Sequence, residues 1–192
     1  MVAREVLEGG NVKGGMVKAR LQWVAQNRPD LTVEDLCQRV SPSTAVVLRG
    51  LVLPIGWYPF RALVETDRAI TEACGGDPEA LFKELGRYSA RLNLGTSYKI
   101  YTRSEPHTFF ENAARVHDQF QDFGRAEYER TGATSCRLSM LDYRCYSRVF
   151  CLGGAGYYEQ ATALQGGRNP QISEVECHCR GDSACRFDIR WS

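Results

Sequence analysis

The chain has 192 residues, which is enough for one ordinary domain with a hydrophobic core and short for two. Its 24 Lys and Arg against 23 Asp and Glu residues give a formal net charge of +1, so nothing in the composition indicates nucleic-acid binding or a charged tail. No apolar run approaches the roughly 18 residues of a membrane span, and the first residues contain no apolar signal-peptide core. We therefore expect a cytoplasmic protein without a membrane span.

The first two thirds of the sequence are predicted to be helical. The stretch "GGMVKARLQWVAQN" has apolar residues at helical spacing and predicts a helix over residues 14–27. Thr32, followed three residues later by Asp35, is typical of a helix N-terminus and predicts a short second helix. A third helix is predicted to end near Leu53.

Three further helices are predicted before residue 124. Pro59 suits the first turn of one, Asp77 the N-cap of the next, and the third is predicted to run from Pro106 to about Phe120. The first of them has an apolar stripe that also contains an acid: Phe60, Leu63, Val64, Asp67 and Ile70.

After Gly124 the spacing of apolar residues changes from the helical period to alternation, which predicts a β-hairpin around Thr131-Gly132. A glycine-containing helix and a second hairpin around 180–183 follow. The sequence therefore predicts an α+β fold with helices packed on an antiparallel sheet. We expect a helical N-terminal extension over residues 1–50 and a main domain over 51–192, together forming one unit.

The stretch "EVECHCRGDSAC" contains three of the eight cysteines, and six of the eight lie in the last 57 residues. In a reducing compartment such a cluster indicates metal binding or redox chemistry rather than disulfides. Cys177 and Cys185 flank the turn of the predicted hairpin, and Cys151 begins the helix before it. Strict alternation would place Glu174 on the opposite face from Cys177, so the carboxylate joins the thiols only if the strand has a bulge. Three thiolates and one carboxylate would suit a tetrahedral zinc site, and simple burial of the thiols remains the alternative.

The segment "ECHCRGDSACRFDIRW" resembles the C-terminal signature of the V4R (4-vinyl reductase-like) domain, through Cys177, Gly181-Asp182, Cys185 and Phe187. The segment "RGLVLPIGWYPF" resembles bacterial, notably myxobacterial, proteins that carry such a domain. The resemblance implies that residues 51–192 are a V4R-like domain, with an α+β fold shared with the TRAPP subunits of vesicle tethering and with haem-based nitric oxide sensors. It also implies a homodimer and a structural zinc held by ligands at matching spacings: Cys151, Glu174, Cys177 and Cys185.

Aromatic residues form three groups along the sequence, and they predict a pocket for a small apolar or aromatic molecule. The predicted ligand-binding residues are Trp57, Tyr58, Phe60, Phe109, Phe110, Tyr157 and Tyr158. Glycines at 153, 154 and 156 would let a ligand or a neighbouring backbone approach the last long helix. The same aromatic residues would otherwise be ordinary core or a protein–protein interface.

The sequence predicts no catalytic residues. None of the three histidines forms a convincing pair with a cysteine nucleophile, and no phosphate-binding glycine motif is present. Haem would need an axial histidine, for which His107 and His117 are the helical candidates, and there is no Tyr-x-Ser-x-Arg run of the kind that haem-based sensors use. We therefore expect a small-molecule-binding or sensory module, with a dimeric scaffold that binds a protein partner, or a thiol redox sensor, as the alternatives.

Overall fold

In a computed structural model of the chain, residues 4–95 and 105–192 are described, and they form an α+β fold. The helices are α1 (Gly14–Asn27), α2 (Val33–Cys37), α3 (Pro42–Arg49), α4 (Phe60–Cys74), α5 (Pro78–Gly95), α6 (Pro106–Arg115) and α7 (Arg148–Leu164). The strands are β1 (Asn11–Lys13), β2 (Trp57–Pro59), β3 (Arg125–Gly132), β4 (Ser135–Leu141), β5 (Gln171–Glu176) and β6 (Cys185–Arg190). Helices packed on an antiparallel sheet are therefore confirmed.

The larger sheet is antiparallel throughout, with the strand order β3-β4-β6-β5. Its two hairpins are those predicted from the alternating sequence after Gly124. A second, two-stranded sheet joins β1 to β2 and was not predicted. Because β2 ends at Pro59, this proline precedes α4 instead of lying within its first turn.

The helix ends follow from capping residues that are visible in the sequence. Thr32 and Asp35 form the predicted capping box at the start of α2. Ser41 caps α3, and that helix ends at Arg49, earlier than the predicted Leu53. The α6 helix also ends early, at Arg115, and a short 3-10 turn follows it at His117–Gln119.

Helices α5 and α7 cross with almost no space between their backbones. A Cβ added to Gly86 would lie 1.9 Å from the carbonyl oxygen of Gly153, and one added to Gly156 would lie 2.0 Å from that of Lys83. Glycine is therefore required at these crossing points, since any side chain would collide with the opposite backbone. Gly156 of the last long helix thus admits a neighbouring helix, whereas Gly153 and Gly154 line a cavity between the helices and the larger sheet.

The core is continuous from the N-terminal helices to the sheet. Val17 of α1, Leu36 of α2 and Leu48 of α3 belong to the same buried cluster as Phe110 and Ile189. The predicted N-terminal extension over 1–50 also contains β1, so it is not purely helical. The division into this extension and a domain over 51–192 stays a prediction. Among the residues that the structure describes, no helix has both the length and the apolar character needed to cross a membrane.

Candidate functional site

Four potential ligand side chains converge where the start of α7 meets the β5–β6 hairpin. The Sγ atom of Cys151 lies 3.7 Å from that of Cys177 and 3.7 Å from that of Cys185. With one carboxylate oxygen of Glu174, the three sulfur atoms all lie within 4.8 Å of one another. We call these four residues the thiol cluster. The sulfur separations exceed the roughly 2.05 Å of a disulfide bond, so the cysteines are free thiols.

The local backbone explains how the carboxylate reaches the thiols. The β5–β6 register shifts between Glu174 and Glu176. This is the bulge that the sequence required if Glu174 and Cys177 were to lie on the same face. Cys177 follows the end of β5, and its backbone N–H donates to Asp182 Oδ2 at 2.7 Å. Asp182 therefore holds the turn, as Asx residues commonly do.

The thiol cluster favours a negative charge on Cys177. Hydrogen bonds from the thiols of Cys151, Cys179 and Cys185 lower the pKa of Cys177. Burial, followed by repulsion from Cys177, raises the pKa of Glu174. Glu174 Oε2 receives a hydrogen bond from Arg148 and a longer one from Arg180, at 3.3 Å.

One oxygen of the cluster has no hydrogen-bond partner among the described residues. This atom is Glu174 Oε1, which is buried. The other oxygen of the same carboxyl group, Oε2, accepts the hydrogen bonds from Arg148 and Arg180. Cys179 and His178 lie outside the group of four ligand atoms. His178 Nδ1 instead lies 3.1 Å from the backbone oxygen of Asp182, and its ring stacks on Tyr146.

A cavity of about 160 Å³ lies between the helices and the larger sheet. Its walls come from α1, α4, α5, α6, α7, β3 and β4, and most of them are apolar, with Leu63, Leu94, Leu138 and Met140 among the lining residues. Concave, mostly apolar spaces with few polar groups are typical of small-molecule sites.

The structure brings only part of the predicted aromatic pocket to this cavity. Phe109, Tyr157 and Tyr158 line it. The other four predicted residues lie elsewhere, so their part in ligand binding stays a prediction. Phe60 and Phe110 are fully buried in the core, Tyr58 lies against the loop before β2, and Trp57 is 44% exposed: none of them lines the cavity.

Two polar groups in the cavity wall lie outside the seven predicted ligand-binding residues, and of their members only His117 was considered from the sequence, as an axial histidine for haem. Arg20 forms a buried ion pair with Asp67, with its Nε 2.7 Å from Oδ1, and also donates to Ser89. The acid within the apolar stripe of α4 was the available signal for this pair, because a buried charge needs a partner.

The second group lies in and just after the 3-10 turn that follows α6. His117 Nε2 is 2.7 Å from Tyr143 Oη, and Gln121 Nε2 lies 2.5 Å from both of these atoms. His117 and Gln121 line the cavity. Burial lowers the pKa of His117 to about 4, so the imidazole is neutral at physiological pH.

Comparisons with known proteins identify the fold. No family model and no curated protein matches the chain. Solved structures of H-NOX proteins do match. An Fe(II) unliganded H-NOX protein from K. algicida is 12% identical, with a TM-score of 0.70 over 94% of this chain and 96% of that one. An H-NOX protein from S. oneidensis in the Fe(II)NO state is 14% identical, with a TM-score of 0.70 over 94% and 99%.

A third similar structure is an oxygen-binding H-NOX domain related to soluble guanylate cyclases, at 14% identity and a TM-score of 0.70 over 94% of this chain and 95% of that one. The chain therefore has an H-NOX-like fold, and at these identities the similarity establishes the fold alone.

This result corrects the resemblance drawn from the C-terminal segment. The similar structures are H-NOX domains, so the assignment to the V4R family and its TRAPP relatives is wrong. The structural zinc, expected from the ligand types as well as from that resemblance, is also wrong, since the similar structures are described by iron and haem. The proximity of Cys151, Glu174, Cys177 and Cys185 is an observation of this structure and does not depend on the family.

Proposed function

We propose that this chain is a sensory module with an H-NOX-like fold that binds a small, mostly apolar molecule in the cavity between its helices and sheet. The cavity volume carries the proposal. An apolar cavity of about 150 Å³ in another protein stays dry and binds benzene, and the cavity here is about 160 Å³. Similar structures that bind oxygen or nitric oxide support a ligand-responsive role for this fold.

The experiment is a titration of the purified chain with benzene, followed by calorimetry and by thermal unfolding. Ligand at 100 times its Kd stabilises the folded state by about 2.7 kcal/mol, so the melting temperature should rise with benzene concentration. The variant Ala114→Leu places a larger side chain in the cavity wall and should bind benzene more weakly. If benzene gives neither binding heat nor a shift in melting temperature, the proposal fails.

His117 places one candidate axial histidine in the cavity wall, but the size and the charged groups of this cavity do not fit haem, the group named for other proteins of this fold. Sites for drug-sized ligands occupy roughly 300–1,000 Å³, and haem is larger than most such ligands. The two basic side chains in the wall are already engaged: Arg20 pairs with Asp67, and Lys13 donates to Ile55 O at 3.0 Å. The sequence also contains no Tyr-x-Ser-x-Arg run of the kind that haem-based sensors use. Hemin added to the protein should therefore give no stoichiometric Soret band.

We also propose that Cys151, Glu174, Cys177 and Cys185 bind a single metal ion. Three sulfur atoms and one oxygen within 4.8 Å of one another can all reach one ion, and the lowered pKa of Cys177 supplies a thiolate. The unpartnered Oε1 of Glu174 is a buried acceptor that a cation would satisfy.

Elemental analysis of protein purified without chelators or added metal tests this site and identifies the ion. The native chain should carry one metal ion, and Cys185→Ser should carry none. Cys136→Ser is the matched control, because Cys136 is equally buried and lies outside the thiol cluster. Metal-free native protein, or equal metal content in the two variants, would contradict the proposal.

An exposed apolar surface favours the alternative function of a protein-binding scaffold. Leu51 is 84% exposed and Ile55 is 79% exposed, and Leu53 and Trp57 lie beside them in the sequence. Exposed apolar patches often mark protein contacts.

The homodimer and the cytoplasmic location stay predictions. Light scattering of the native chain and of Leu51→Glu tests the first, because a dimer built on this surface should dissociate in the variant.

A further inference from the structure

The polar group after α6, His117 with Gln121, has hydrogen-bonding capacity that the described chain does not use. His117 and Gln121 line the cavity, and each is only 7% exposed. His117 Nδ1 and Gln121 Oε1 are buried and have no hydrogen-bond partner among the described residues. Buried polar atoms are nearly always paired, so two such atoms in one cavity wall indicate a missing partner.

The hydrogen bonds within the group show what kind of partner is missing. The Gln121 amide donates to His117 Nε2 and to Tyr143 Oη, so Nε2 accepts and the ring proton of the neutral imidazole lies on Nδ1. His117 then offers an unused donor, and Gln121 Oε1 offers an unused acceptor. If the amide is turned over, the two roles are exchanged, and one donor and one acceptor still remain.

The charges of the wall exclude an ionised ligand, because no described lining residue is an Asp or Glu and the two cations, Arg20 and Lys13, are already engaged. The guanidinium of Arg20 is neutralised by Asp67, with which it shares two hydrogen bonds. The ammonium of Lys13 lies 3.8 Å from the ring centroid of Trp57 and donates to a backbone oxygen. An anion in the cavity would therefore lose its hydration without gaining an unpaired cation, which is strongly unfavourable.

We propose that the ligand is an uncharged, mostly apolar molecule with one hydroxyl group, and that this hydroxyl is recognised by His117 and Gln121. A hydroxyl both donates and accepts, so one group satisfies both unused atoms. The rest of the molecule is no larger than about one six-membered ring, given the volume of the cavity. This inference rests on the proposed function and adds the chemical class of the ligand.

The test compares benzyl alcohol with ethylbenzene, two molecules of nearly the same shape that differ in the hydroxyl group. Calorimetric titration of the native chain should give a Kd for benzyl alcohol that is roughly tenfold lower, as expected for added buried hydrogen bonds. Equal Kd values, or tighter binding of ethylbenzene, would overturn the inference and leave the proposed function intact. If neither compound binds, the proposed function itself fails.

Substitution of Gln121 tests whether the preference for benzyl alcohol comes from the polar group of His117 and Gln121. Gln121→Met keeps the length of the side chain and removes its polar atoms, so the preference for benzyl alcohol should fall to within about twofold while ethylbenzene still binds. Gln119→Met makes the same change at an exposed position two residues away and should keep the full preference. An undiminished preference in Gln121→Met would overturn the assignment. The comparison of the two ligands on native protein decides the inference even if this variant does not fold.

Discussion

The cavity and the thiol cluster are both built on α7, and they differ in how their polar atoms are arranged. In the thiol cluster, four ligand atoms from Cys151, Glu174, Cys177 and Cys185 lie within 4.8 Å of one another. In the cavity, Arg20 comes from α1 and His117 from the 3-10 turn after α6, and their polar groups lie apart in a largely apolar wall. The first arrangement matches a single ion, and the second matches a molecule with an apolar body.

The buried ion pair of Arg20 and Asp67 keeps the cavity wall neutral. Asp67→Ala leaves the guanidinium of Arg20 buried without its partner, which should lower the free energy of unfolding by about 3–5 kcal/mol. Chemical denaturation followed by circular dichroism measures this change. Asp30→Ala removes the exposed partner of Arg28 from a surface ion pair and should leave the denaturation midpoint nearly unchanged. A similar midpoint for the two variants would contradict the importance of the pair.

Protonation of His117, in the cavity wall, should destabilise the folded protein. Its pKa is lowered from 6.5 to about 4 by burial, so the unfolded chain binds the proton more readily. The stability that the neutral imidazole contributes is complete above pH 6.5 and is lost as the pH falls towards 4, by about 3 kcal/mol over this range. Unfolding curves at several pH values measure the slope. His117→Gln should flatten the slope by that amount, and an unchanged slope would show that this histidine does not titrate as described.

The two sites also differ in how well the sequence predicts them. The members of the thiol cluster lie within residues 151–185. The predicted hairpin turn grouped Cys177 and Cys185 with Cys151, while Glu174 needed a bulge and was selected through the spacings of the V4R resemblance. The β5–β6 pairing shifts register after Glu174. Such a bulge was expected, because strict alternation would have placed Glu174 on the opposite face from Cys177. Whether the four residues bind a metal stays a prediction.

The cavity was harder to predict because its wall is assembled from residues far apart in the sequence. Phe109 and Phe110 are neighbours on α6, yet Phe109 lines the cavity and Phe110 is buried in the core. Successive helical residues point in directions about 100° apart, and the rotation of a helix against its partners is set by the whole fold. Tyr58 is turned away because its hydroxyl accepts a hydrogen bond from the backbone N–H of Leu53, a contact that no local pattern indicates.

The crossing of α5 and α7, which forms part of the cavity wall, can be tested at two glycines of the same helix. Gly156→Ala places a methyl group 2.0 Å from the carbonyl oxygen of Lys83 and should destabilise the protein by about 1–3 kcal/mol as the helices separate. Gly154→Ala meets its nearest neighbour, the ring of Tyr158, at 3.7 Å and should be neutral or stabilising through helix propensity. Thermal unfolding of both variants should therefore give opposite shifts, and equal shifts would contradict this packing.

The smallest expected effect concerns the turn that closes the thiol cluster. Asp182→Ala removes the acceptor for the backbone N–H of Cys177 and should cost about 1 kcal/mol, the usual value for a lost side-chain cap. Asp182→Asn keeps an acceptor oxygen and should retain most of the stability, so the pair separates the hydrogen bond from the charge. The effect should also remain local. The Ala variant should expose the backbone amides of the β5–β6 turn to faster hydrogen exchange, while the affinity of the cavity for benzene should not change. Weaker benzene binding in Asp182→Ala would show that the two sites on α7 are coupled, and the distinction between them would then not hold.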